Sequence, residues 1–264
     1  MTRRRLDAEL VRRGLARSRE QSRELIETGR VRAAGMLSLK PSTQVDEAAA
    51  LQVDDAGDSH YVSRGAHKLI GALDANPDLI VTGRDCLDAG ASTGGFTQVL
   101  LERGAARVLA VDVGYGQLAW QIRTDPRVTV MERMNVRELQ GESLPFRPCL
   151  VVADLSFISL ATVLPALAAC ALDEAELLLM VKPQFEVGRE LVGAGGVVRD
   201  PGIRLSAIEQ VVAAAARLGL GTVSCVASPL PGPSGNVEYF LRLRRAAPVA
   251  RTEDLIDAIA RGPQ

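Results

Sequence analysis

The sequence predicts an α/β protein: a seven-stranded, mostly parallel sheet with helices on both faces, preceded by a small α+β unit. Three observations carry this expectation. From about Ser63 onward, apolar strand-length runs alternate with helix-length segments, the pattern of a sheet buried on both sides. The first of those runs ends in a glycine-rich turn, "DAGASTGG", that opens a helix. Finally, residues 1–40 hold eleven Arg or Lys against five acids, a net of +6, whereas the whole chain is −1, so the remainder carries −7. A basic head on an acidic body suggests a polyanion docked at one end.

In the head, "RRRLDAELVRRG" places Leu6, Leu10 and Val11 on one helical face, with Gly14 as the cap that ends it. A second helix starts at Ser18, with Gln21 three residues on as a capping box, and ends at Gly29 after Leu25 and Ile26. "RVRAAG" and "LQV" then read as short strands. Such a charge run, taken alone, reads more readily as a solvated face than as a binding surface.

In the body, "GAHKLIGALDAN" has helical spacing; "DCLDAG", "RVLAVDVG" and "RVTVMERMN" read as strands, with helices "GFTQVLLERG" and "QLAWQIRTD" between them. "CLVVADLS", the helix "LATVLPALAACAL", the strand "ELLLMVKP", the long helix "PGIRLSAIEQVVAAAARLG" and two last strands, "TVSCVAS" and "VEYFLRLR", complete the set. The domain organisation expected is 1–58 for the head, 59–62 for a linker and 63–264 for the body.

No apolar run approaches the roughly 18 residues of a membrane span, and the amino terminus interleaves charges, so a cytoplasmic protein is expected. Cys86, Cys149, Cys170 and Cys225 are scattered among apolar residues, and His60 and His67 are the two histidines. Buried thiols are therefore expected rather than a metal site or disulfides.

Ligands of such sheets sit beyond the carboxyl ends of the strands. Those ends carry Asp88 and Gly90, then Asp112, Asn135, Asp154 and Lys182. An acid ending the second strand is where a ribose diol is gripped, which suggests adenosine. The turn itself reads Asp88-Ala89-Gly90-Ala91-Ser92-Thr93-Gly94-Gly95, neither a dinucleotide G-x-G-x-x-G nor a P-loop. Its acid would repel a pyrophosphate and suits a cationic ligand with an amino-acid tail: S-adenosylmethionine. Residues Asp88, Gly90, Ala91, Ser92, Thr93, Gly94, Gly95 and Phe96 would then surround the methionine part, Asp112 and Val113 the ribose, and Asn135 the adenine, with Asp154 closing the site. For methyl transfer to a ribose hydroxyl, a cation held by carboxylates is required beside the oxygen, and Lys68, Asp154, Lys182 and Glu238 are the candidates.

The head segment "RLDAELVRRGLARSREQSRELIETGRVRAAG" resembles the RNA-binding module of ribosomal protein S-four, departing at Ser22, where the module usually has alanine. The resemblance implies that Arg4, Arg5, Arg17 and Arg19 track RNA phosphates. The motifs "SRGAHKL", "DAGASTGGFT", "VDVGYGQL", "VVADLSFISL", "VKPQFEVG", "GGVVRDP" and "SPLPGPSGNVEYF" resemble the TlyA family of ribosomal RNA 2′-O-methyltransferases, related to FtsJ-type enzymes. This implies a Rossmann-like class I methyltransferase fold, S-adenosylmethionine as cofactor without a metal, and cytidine ribose in ribosomal RNA of the small and also the large subunit as substrate. It also implies Lys68, Asp154, Lys182 and Glu238 as the catalytic set, with Lys182 acting on the 2′-hydroxyl. One catalytic set per chain requires no more than a monomer. Where mycobacterial members carry an Arg-Ala-Trp-Val linker, this chain has Ser59-His60-Tyr61-Val62. Arg64, Arg133 and Arg137 would extend the RNA path, and "EVGRELVGAGGVV" would be a mobile loop over the substrate. A membrane-active haemolysin, the other label this family carries, and an inactive RNA-binding protein are the alternatives. No spanning helix or barrel pattern supports the first, and a complete set of four residues argues against the second.

Overall fold

The computed structural model describes residues 3–16, 18–27, 29–38, 40–53 and 60–262, which divide into two compact units, Met1–His60 and Tyr61–Gln264.

In the first unit the order is β1 (Arg3–Arg5), α1 (Leu6–Arg12), α2 (Arg19–Glu27), β2 (Val31–Ala33), β3 (Met36–Leu37), β4 (Gln44–Asp46) and β5 (Leu51–Val53). β1 pairs antiparallel with β4, and β3, β2 and β5 form a three-stranded antiparallel sheet. Leu6, Leu10, Leu25, Ile26, Val31 and Val45 are its core. Both helices end before a left-handed glycine, Gly14 and Gly29, and Ser18 Oγ accepts from the Gln21 amide at 3.1 Å. Arg3–Arg5 form a strand where the sequence pattern suggests the start of the helix. Their partner, β4, lies about forty residues away, so local periodicity could not show it.

The second unit begins with α3 (Gly65–Asp74), β6 (Asp85–Ala89), α4 (Gly95–Glu102), β7 (Arg107–Asp112), α5 (Trp120–Arg123) and β8 (Val128–Glu132). It continues with β9 (Leu150–Ala153), α6 (Leu160–Cys170), β10 (Glu176–Val181), α7 (Pro183–Glu186), α8 (Pro201–Arg217), β11 (Leu220–Ala227), β12 (Tyr239–Arg245) and α9 (Thr252–Ala260). The sheet order is β8-β7-β6-β9-β10-β12-β11. The first five strands are parallel, and β12 is antiparallel to both β10 and β11. Side chains alternate between two cores: Leu87, Val151 and Leu177 meet α6, α8 and α9, whereas Cys86, Leu150 and Leu178 meet α3 and α4. This burial on both faces explains why the strands are apolar without alternation.

Two stretches differ from what the sequence predicts. The helix expected over "QLAWQIRTD" is one turn, Trp120–Arg123, because Gln117–Ala119 approach it in an irregular path and Trp120 is exposed rather than packed. The loop expected to be mobile is pinned at its far end. Val197 and Val198 are buried, the Val198 amide donates to Asn236 Oδ1 at 2.9 Å, and Asn236 Nδ2 donates to the Gly196 carbonyl at 2.8 Å. Among the described residues no helix is long and apolar enough to cross a membrane.

Candidate active site

The turn after β6 is shaped by close approach. Gly90 (φ +87°) would put a Cβ 2.5 Å from the Asp154 carbonyl, and Gly94 (φ +98°) would put one 2.9 Å from Leu118. Only glycine fits either position, and the first brings the turn directly against the end of β9. Asp112, at the end of β7, fastens the turn from the other side: one oxygen accepts from the Ser92 amide and the other from the Gly114 amide, both at 2.7 Å. Between them lies a depression lined by Ala91, Ala110, Leu118 and Val130, with Asp112 and Glu132 supplying its acids.

Asp88 does not face that depression. It is fully buried, with Oδ2 accepting from Thr97 Oγ1 at 2.7 Å and Oδ1 without a hydrogen-bond partner among the described residues. Burial pushes its carboxyl up to about 7, against the hydrogen bond from Thr97. Phe96 also points inward, stacked on Phe240 with ring centroids 6.1 Å apart, so it can offer a ligand only its backbone. Val113 is exposed, and Asn135 uses its side-chain oxygen to cap the short 3₁₀ turn Val136–Glu138 through the Arg137 amide.

Beside the turn, two ion pairs occupy the ends of β9, β10 and β12. Lys182, following β10, sets its ammonium 2.6 Å from Asp154 Oδ1 and donates to Ser156 Oγ at 2.8 Å. Lys68, on α3, donates to Glu238 Oε2 at 2.5 Å; both side chains are buried, and Glu238 Oε1 has no hydrogen-bond partner among the described residues. Burial pushes Asp154 up, but the charge of Lys182, then of Lys68, and more weakly of Arg64, holds it below the usual carboxylate range. The four candidates are thus one electrostatic unit, although they lie 170 positions apart at the extremes.

Four neighbours of these charges are not evident from the sequence. Ser156 holds Lys182. Phe157 is 90% exposed in a left-handed conformation (φ +63°), rare for a bulky residue, and tilts against Phe185 at 5.2 Å. Glu186 accepts from Ser159 Oγ at 2.6 Å and the Leu160 amide at 2.7 Å, tying the residue after β10's lysine turn to the start of α6. The spacing "ADLSFIS" and "KPQFE" holds two phenylalanines at matching offsets from Asp154 and Lys182, the one signal that could have found the aromatic pair.

The arginines divide. Arg4 is exposed on β1; Arg17 lies outside the described residues. Arg5 and Arg19 share the buried Asp7 carboxylate. Arg64 donates to the Pro231 carbonyl at 2.9 Å, committing part of its fork to the loop before Glu238. Arg133 (φ +57°) lies over the Tyr115 ring at 4.2 Å, and Arg137 is exposed. Of the linker, Ser59 lies outside the described residues; Tyr61 meets His67 edge-on at 5.2 Å and the Val62 amide donates to Gln98.

An apolar slot edged by carboxylates, beside a glycine turn too crowded for a side chain, fits S-adenosylmethionine better than a phosphorylated nucleotide, whose charge these acids would oppose. The chain matches the FtsJ-like methyltransferase family over residues 61–245 and the S4 domain over residues 4–49. It is 59% identical over 264 residues, 98% of each chain, to the 16S/23S rRNA (cytidine-2′-O)-methyltransferase TlyA of Mycobacterium tuberculosis. With the 23S rRNA (cytidine-2′-O)-methyltransferase TlyA of Campylobacter jejuni it shares 39% identity over 68% of this chain and 69% of that one. A solved structure from Streptococcus thermophilus, described as a hemolysin, superposes with a TM-score of 0.76 at 37% identity, covering 98% of this chain and 95% of that one. An S4 domain joined to an FtsJ-like domain, with this identity across nearly the whole length, means that the chain belongs to the TlyA family of FtsJ-like methyltransferases.

Proposed function

We propose that the protein methylates the 2′-hydroxyl of cytidine in ribosomal RNA of both ribosomal subunits, acting in the cytoplasm, with one chain sufficient for the chemistry. The observation that carries this reading is the pair of ion pairs, Lys182–Asp154 and Lys68–Glu238, set against the glycine turn at Gly90.

S-adenosylmethionine, when bound, supplies an already activated methyl group, so the chain's own work is alignment and charge. Asp88, sealed beneath the turn, holds Thr97 at the start of α4 and so supports the turn from behind, while Asp112 lies where ribose hydroxyls can donate to its remaining lone pairs. Lys182 hydrogen-bonds the attacking 2′-oxygen and stabilises the negative charge that grows there as the O–CH3 bond forms and the hydroxyl proton passes to solvent water. Asp154 and Ser156 hold that ammonium in place, while Lys68 and Glu238 fix the field around Asp154. Phe157, bare and turned outward, would offer a stacking face to a base taken out of its helix. Arg4, Arg5, Arg17 and Arg19 on residues 1–58, then Arg64, Arg133 and Arg137 on residues 63–264, would follow the RNA backbone, with 59–62 joining the two parts.

Transfer of labelled methyl groups to purified, unmethylated small and large subunits tests the reading. Incorporation into cytidine of both is expected; none on either subunit, or undiminished transfer after Lys182→Ala, would sink it.

A further inference from the structure

Within the reading that residues 1–58 bind ribosomal RNA, we propose that the acid Asp7 strengthens that binding, because it organises Arg5, Arg19 and Arg23 into one preset phosphate clamp. The Asp7 side chain is wholly shielded from solvent, yet the three arginines around it are 43%, 56% and 55% exposed. Arg5 reaches it from β1 with Nε at 3.1 Å and Nη2 at 3.0 Å. Arg19 comes from the first turn of α2 with Nη2 at 3.1 Å, and Arg23 from the next turn with Nε at 3.6 Å. A guanidinium has five N–H donors in a rigid plane; Arg5 spends two on Asp7 and Arg19 one, leaving the outer edges for a second acceptor. Side chains already held in this way surrender less rotamer freedom when a phosphate arrives.

Glu9, two residues on, shows the other use of a buried acid. It binds Arg12 at 2.6 Å and 2.8 Å and Arg13 at 2.7 Å. Arg13 then spends its remaining edge on the Ala49 and Glu47 carbonyls at 2.7 Å and 2.8 Å, and is only 22% exposed. That hub ties the β4–β5 turn to α1 and leaves its inner arginine little to offer RNA.

The two views of Asp7 predict opposite signs. As an unhelpful negative charge, its removal tightens RNA binding; as an organiser, its removal weakens it. The test uses the full-length protein and unmethylated ribosomal subunits, with Kd measured across a KCl titration at fixed magnesium. Asp7→Asn is expected to weaken binding about fivefold or more and to flatten the salt slope by roughly one for each phosphate the protein no longer neutralises. The apparent KM for subunits rises with it, while kcat at saturation and S-adenosylmethionine affinity hold. Glu9→Gln, which removes the neighbouring hub, should stay within about twofold of wild type. Binding by Asp7→Asn as tight as wild type, or tighter, overturns the proposal. Should that variant not fold, Arg19→Lys decides: it keeps the charge and loses the fork, so weaker binding supports the clamp and unchanged binding overturns it. Absence of salt-dependent binding by the wild type would instead remove the RNA reading of the amino-terminal unit, a different failure from a silent Asp7→Asn.

Discussion

Asp88→Asn measures the cost of burying a carboxylate. Burial raises this carboxyl from 3.8 to about 7, and each pKa unit corresponds to about 1.4 kcal/mol. The sign follows from the raised value: the fold prefers the protonated acid, so its cost is absent below about pH 4, grows between pH 4 and 7, and is complete above 7. Three units give about 4 kcal/mol. Asparagine keeps the acceptor for Thr97 Oγ1 and carries no charge to desolvate. Urea unfolding without ligand should therefore show the variant more stable than wild type at pH 8, by up to about 4 kcal/mol, with the difference closing toward pH 4. S-adenosylmethionine affinity, read by calorimetry, should stay within about threefold of wild type, because the sealed carboxyl does not line the slot. Equal stability of the two proteins at pH 8 would refute the assignment of a charge cost to Asp88.

Lys182→Ala should lower kcat for methyl transfer at least a hundredfold while changing S-adenosylmethionine affinity less than about threefold, since the lysine acts at the oxygen rather than the cofactor; single-turnover transfer and calorimetry read the two effects. Gly90→Ala must push a methyl into the Asp154 carbonyl at 2.5 Å from a left-handed backbone, so cofactor binding and transfer should both fall about tenfold or more, accompanied by a lowered Tm. Ser22→Ala should do the opposite to stability. Ser22 Oγ is buried on α2 with no hydrogen-bond partner among the described residues, and alanine is the better helix former, so the variant should gain about 1 kcal/mol and a few degrees in the transition of the first unit.

The order of strands and helices could be read directly, because each buried strand is an unbroken apolar run and each helix presents an apolar stripe to one of two cores. The glycine turn, the acid ending β7 and the lysine after β10 could be placed for the same reason, since the carboxyl end of a parallel strand is a position in sequence as well as in space. The same logic failed for β1, whose partner is distant, and for α5, where irregular backbone replaces most of an expected helix.

Composition, periodicity and motif order by themselves determined the two units, the parallel sheet, the cofactor class and the identity of the four charged candidates. What each charge does was decided only by the tertiary structure. Asp88 is sealed in rather than facing the slot, Lys68 is spent on Glu238 rather than standing free, and Lys182 is held by Asp154 and Ser156. The acid Asp7, which in a count of charges merely offsets one arginine, gathers three of them. The physical reason is common to all four: burial and hydrogen-bond direction depend on neighbours far along the chain, and these decide whether a charge is costly, neutralised or poised to act.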